Sequence, residues 1–134
     1  MYSRPASMRA YQSAGVEAAV AGASPHELVL MLFEGARAAI AQARAAIARG
    51  DAPARARATS KAIAIVADGL KASLDVRAGG ALAEQLDQLY DYSIMRLTLA
   101  NAKADAKIYD EIVGLLGGLE DAWREAGRRK AGKA

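Results

Sequence analysis

A general base or metal ligand working near neutral pH is most often an imidazole, and this chain carries one, His26. It sits between Pro25 and Glu27 at the opening of an apolar run, where a solvated first-turn residue is a simpler reading than a catalytic one. The carboxylates Glu84, Asp87 and Asp91 recur at i, i+3 and i+7 and so share one helix face. Acid–base or metal chemistry would require them buried and partnered. Lying opposite Leu82, Leu86 and Leu89, they read instead as a solvated acidic stripe. A carboxylate-bridged di-iron centre needs Glu-x-x-His pairs on two helices, which a single histidine cannot supply. Cysteine is absent, so disulfides and thiolate metal sites are excluded and a reducing compartment is compatible. Gly114-x-x-Gly117-Gly118 follows no strand and lacks the setting of a phosphate-cradling loop. The expectation is a protein that is not an enzyme and uses no cofactor or metal, leaving surface recognition as its chemistry.

The elements that would carry such a surface are legible from period and caps. Ser24 is a helix cap, Pro25 suits the first helical position, and Glu27 completes a capping box. Leu28, Leu32, Ala36, Ala39, Ile40, Ala43 and Ile47 then recur at helical spacing until Gly50-Asp51. A second helix is predicted from Asp51-Ala52-Pro53, with the stripe Ile63, Val66, Leu70 and Leu74, and a break at Arg77-Ala78-Gly79-Gly80. A third carries Leu82, Leu86, Leu89, Tyr90, Ile94 and Leu97 and fades at Asn101-Ala102-Lys103. Asp105 caps a fourth, whose stripe is Ile108, Ile112, Leu115, Leu116, Leu119 and Trp123. Four helices with short loops predict an all-α, antiparallel up-down four-helix bundle. Its expected span is 24–127. Residues 1–23 form a mobile N-terminal arm with the tendency to add a short helix, and residues 128–134 form a basic tail that frays.

Composition sets the terms for packing. The chain has 134 residues, of which 34 are alanine. Alanine favours helix but contributes little volume, so the bundle is expected to be close-packed and thin in large side chains. Against that background, Leu28-Val29-Leu30-Met31-Leu32-Phe33 is excessive. Six consecutive apolar residues point all the way round a helix, whereas a bundle interior takes a stripe a little over ~100° wide. Either neighbouring helices and the arm cover the surplus, or it forms a groove for a partner segment. Gly114, Gly117 and Gly118 pose a related question, since each costs roughly 1 kcal/mol in a helix relative to alanine. Close helix–helix approach and a groove floor are the two readings of them.

The net charge is +3, with a concentration of cations in the tail at Arg124, Arg128-Arg129-Lys130 and Lys133. Nucleic-acid binding is disfavoured, because the remaining cations are interleaved with acids and no aromatic stacking set accompanies them. No apolar run reaches the ~18 residues of a membrane span. Arg4 and Arg9 are not followed by the apolar stretch of a signal peptide, so a cytoplasmic protein without membrane insertion is expected.

Several segments, in order, resemble one family. They are Val20–Ala36, containing Ser24-Pro25-His26-Glu27-Leu28, then Lys61–Val66, Gly69–Asp75, Gly79-Gly80, Leu86–Tyr92, Leu97–Asn101 and Asp121-Ala122-Trp123. In this order they are similar to the flagellar secretion chaperones of the FliS family over nearly the whole chain. The resemblance implies a helical bundle that binds the disordered C-terminal region of flagellin in the cytoplasm, prevents premature polymerisation and presents the client to the flagellar type III export gate. It implies that the client wraps the bundle and that the N-terminal arm occupies part of the same surface when no client is bound. The partner-binding residues this suggests are Met8 and Tyr11 of the arm, Val29, Leu30 and Phe33 of the first helix, Tyr90 and Tyr92 of the third, and Gly114, Gly117 and Gly118 of the fourth. The expected oligomeric state is a monomer or weak homodimer. The alternatives are a general helical adaptor and a nucleic-acid-binding helical protein.

Overall fold

The structure, a computed structural model, describes residues 22–133. Almost all of the expected arm, including Met8 and Tyr11, lies outside the described residues. Four α-helices follow in order: α1 (Pro25–Ala48), α2 (Ala52–Ala64), α3 (Val76–Lys103) and α4 (Ala106–Lys133), with a π-helical segment, Ile65–Lys71, continuing α2.

Local chemistry explains each boundary. Ser24 Oγ accepts the Glu27 N–H at 3.1 Å, forming the predicted N-cap. It donates its own proton to the Glu27 carboxylate at 3.1 Å, so that Glu27 returns to the Ser24 hydroxyl where a capping box would use the backbone N–H. After α1, Gly50 adopts φ 66°, a left-handed conformation natural to glycine. The Asp51 carboxylate then caps α2 through the Ala54 N–H at 3.0 Å. Asp105 caps α4 through the Lys107 N–H at 2.9 Å.

One boundary differs from expectation. The second chain reversal falls at residues 72–75, not at Arg77–Gly80. Helical winding persists through Lys71 with widened turns, so that the Ala72 N–H reaches back five residues to the Ala67 carbonyl at 3.2 Å. Asp75 then caps a new helix through the Ala78 N–H at 3.1 Å. The predicted break survives only as a kink, where Gly80 takes φ 58°, ψ −140°. Leu74, assigned to the second stripe, sits in the connector and packs against the core from there. The basic residues 128–130 continue the last helix to Lys133, so a boundary at 127 does not coincide with a helix end.

Cross-helix pairs define the topology. Arg37, Arg44 and Glu34 of α1 meet Glu120, Asp110 and Arg124 of α4, running in opposite directions. Arg55 of α2 meets Asn101 near the end of α3, while Lys71 meets Asp87 nearer its start. Arg96 of α3 meets Glu111 across the tight turn into α4. Each neighbouring pair is therefore antiparallel, as expected of an up-down bundle. The interior holds Leu32, Phe33, Ile40, Ile65, Val66, Leu70, Tyr90, Leu97, Tyr109, Ile112 and Leu116, with alanines filling the closest approaches. Tyr109 carries a polar atom into this core, and its hydroxyl lies 2.7 Å from Thr59 Oγ1, which satisfies both groups.

Candidate functional site

Leu82, Leu86 and Tyr90 are spaced by four along α3 and form one line of side chains. On α4, Leu119 and Trp123 form a facing line, flanked by Ala122 and Ala126. Between them lies an apolar cleft of about 230 Å³, with Phe33 of α1 at its base. Phe33 and Tyr90 are buried and belong to the bundle core as well. Leu82 stands at the mouth, 55% exposed. The two alanines of α4 leave unfilled the space that larger residues would close, so an apolar channel reaches the surface instead of ending as core.

Trp123 forms a fixed wall. Its indole N–H donates to the His26 carbonyl at 3.0 Å, and its ring stacks on the His26 imidazole with centroids 4.8 Å apart and planes 13° from parallel. His26 is accordingly half-buried and packed, which corrects its reading as a solvated first-turn residue. The imidazole also fills the space over Gly127, where any Cβ would collide with it. Desolvation here holds the His26 pKa below its usual value; the nearby Lys130 charge acts in the same direction, against a smaller opposing effect of Glu27. Protonating His26 is thus disfavoured in the folded chain, and its contribution to stability falls as pH drops through the ordinary histidine range.

The three glycines of α4 do not share one environment, and Gly117 lies on the face between α1 and α4. Glu120 is almost fully buried, with 3% of its side chain exposed, and accepts from Arg37 Nη1 at 2.9 Å and Arg124 Nη2 at 3.0 Å. The Arg37 guanidinium reaches it by lying over Gly117, about 3.5 Å from where a Cβ would sit. A Cβ at Gly117 would meet the guanidinium at ordinary contact distance, so the buried glycine lies beneath Arg37 without being required by it. Gly114 and Gly118 are exposed, and a Cβ at either would touch nothing within 4 Å. Replacing Gly118 with alanine is expected to raise stability by roughly 1 kcal/mol, seen as a rise of about 3–5 °C in thermal midpoint. An unchanged or lower midpoint would mean that the glycine has a structural duty the free chain does not reveal.

The other expected residues are divided between the interior and separate faces of the bundle. Val29 is buried in the bundle and Leu30 is half-buried. Tyr92 is on the outer side of α3, its hydroxyl donating to the Glu111 carboxylate, which also accepts from Arg96 at 2.9 Å. The bond to Tyr92, followed by Arg96, holds the Glu111 pKa low, and Glu111 in turn raises that of Tyr92. The acidic stripe is not merely solvated, because Lys71 Nζ bridges Asp87 at 2.6 Å and Asp91 at 3.2 Å. Of the expected set, the cleft therefore unites Phe33 and Tyr90. Leu82, Leu86, Leu119, Ala122 and Ala126 join them without having been singled out, although the spacing by four in α3 was a signal. Trp123, read as a core or edge anchor, is the edge of this cleft. Among the described residues no group of side chains is suited to hold a metal ion, and no helix is long and apolar enough to cross a membrane.

The family model described as flagellar protein FliS matches residues 7–130. The flagellar secretion chaperone FliS of Salmonella typhimurium is 47% identical over 118 residues, covering 88% of this chain and 87% of that protein. The flagellar secretion chaperone FliSB of Pseudomonas aeruginosa is 41% identical over 123 residues, covering 92% and 96%. The Bacillus subtilis FliS is 31% identical over 117 residues, covering 87% and 83%.

Proposed function

This chain belongs to the FliS family of flagellar secretion chaperones, and from that premise we propose that it binds the disordered C-terminal region of flagellin in the cytoplasm. In doing so it delays polymerisation and carries the client to the flagellar type III export apparatus. The observation that carries the proposal is the apolar cleft between α3 and α4. A disordered client loses chain entropy on ordering, and only a substantial apolar surface offsets that loss. The cleft supplies such surface on rigid walls, with Trp123 fixed by His26. Its shape suits the apolar face of a client helix, with side chains at i, i+4 and i+7 reaching between Leu86 and Leu119. Mixing the protein with a flagellin C-terminal segment should give a stoichiometric complex that co-elutes on size exclusion. Separate elution at micromolar concentrations would refute the client assignment.

The arm belongs to the same proposal. An apolar cleft left open promotes self-association. A tethered segment bearing Met8 and Tyr11 would cover it at high effective concentration until a client arrives. Deleting residues 1–18 is expected to leave client affinity equal or tighter. A tenfold loss would show that the arm is part of the binding surface, not its competitor.

A further inference from the structure

Residues 35–64, the later part of α1 together with α2, contain six cationic side chains and a single carboxylate, Asp51. Three of the six are engaged elsewhere: Arg37 with Glu120, Arg44 with Asp110 and Arg55 with Asn101. The other three, Arg49, Arg57 and Lys61, are exposed and have no acidic partner among the described residues. They gather around one notch of about 370 Å³ between α1 and α2, whose sides include Ala45, Ala54 and Ala58. Arg57 and Lys61 lie one turn apart on α2, and Arg49 faces them from the end of α1.

We propose that this notch is a second docking site, for an acidic segment of a protein other than the client. Three like charges held together in a notch whose lining includes no carboxylate raise one another's energy, and an acidic partner removes that cost. The alanine walls allow a backbone to approach closely. Carboxylates at i, i+3 and i+4 of a helical segment match the spacing of Arg57 and Lys61. The surroundings favour a peptide over other polyanions. Among the described residues the large exposed apolar side chains, Val76, Leu82, Tyr92 and Met95, all belong to α3, and the notch lining supplies neither the apolar wedge of a membrane-binding face nor a stacking aromatic for single-stranded nucleic acid. Three cations are also few beside the 6–10 phosphate contacts typical of duplex binders. The notch shares no lining residue with the apolar cleft. Phe33 and Ala45 lie about 18 Å apart along α1 at ~1.5 Å per residue, so both sites can be filled at once.

The test uses the full chain and a fluorescent probe peptide of alanine and glutamate, with glutamates at i, i+3, i+4 and i+7, read by anisotropy at low salt. The expected result is saturable binding that weakens roughly tenfold or more in the double variant Arg57→Glu, Lys61→Glu. The reversal Arg128→Glu, Arg129→Glu should change it less than threefold. All four positions are exposed, and circular dichroism would verify that both variants fold. Binding of the probe should persist with a flagellin C-terminal segment present. Absence of saturable binding, equal loss in both double variants, or displacement by the flagellin segment would each overturn the proposal. Tighter binding of a single-stranded oligonucleotide or of phosphatidylglycerol vesicles at the same residues would overturn it in favour of that ligand.

Discussion

Replacing Leu82 and Ala122 together with glutamate is expected to lower affinity for the flagellin C-terminal segment about 100-fold while leaving the fold intact. Both positions are exposed at the rim of the apolar cleft, so neither substitution buries a charge in the free protein. In the complex each carboxylate would face the apolar side of the client without a partner. Burying an unpaired polar or charged group costs about 1–3 kcal/mol by mutational measurements, and about 1.4 kcal/mol within that range is tenfold in affinity. Two such sites on facing helices give the factor of 100. Isothermal titration measures the loss, and thermal unfolding checks that the midpoint moves by less than about 3 °C. A loss under threefold in a folded double variant would place the client elsewhere on the bundle.

Truncating Glu120 to alanine is expected to destabilise the bundle by about 2–3 kcal/mol. The carboxylate joins α1 to α4 from a nearly dry position, where it holds Arg37 and Arg124. Removing one partner of a fully buried pair costs about 3–5 kcal/mol. Here the two guanidiniums keep 42% and 37% of their surface exposed and can recover hydration, which places the expectation below that range. For a chain of this size the midpoint should fall by roughly 6–15 °C. Client affinity per folded molecule should hold, because Glu120 is absent from the cleft lining. A midpoint shift below about 2 °C would show that the pair stabilises little.

The first helix illustrates what was legible in the sequence. Six consecutive apolar residues demanded cover on more than one side, and the structure supplies it: α1 packs against α2, the π segment and α4. Val29, Leu32 and Phe33 are all buried as a result. A linear pattern shows that a helix is apolar all round, but how many neighbours surround it is a tertiary property. The same limit explains the end of α2, since residues 65–71 follow the helical period and their widened winding changes no residue type. Asp75 was a readable cap that the conspicuous Gly79-Gly80 pair obscured. The packing of His26 is invisible to local pattern because its partner Trp123 is 97 residues away. In the glycine motif, Gly117 is buried beneath Arg37 while Gly114 and Gly118 are exposed, a difference of helix face that the residue type does not carry. The cleft was half visible, because the leucine line on α3 could be read directly, whereas its usefulness depends on Ala122 and Ala126 being small where they oppose it.

Calorimetric titration of a flagellin C-terminal segment into the intact protein, at low and at high salt, tests the central claim most directly. Binding through the apolar cleft predicts one segment per chain, a negative heat-capacity change and an association constant that shifts less than threefold between the two salt concentrations. No measurable binding, or a log–log salt slope of several units as in counterion release, would contradict it.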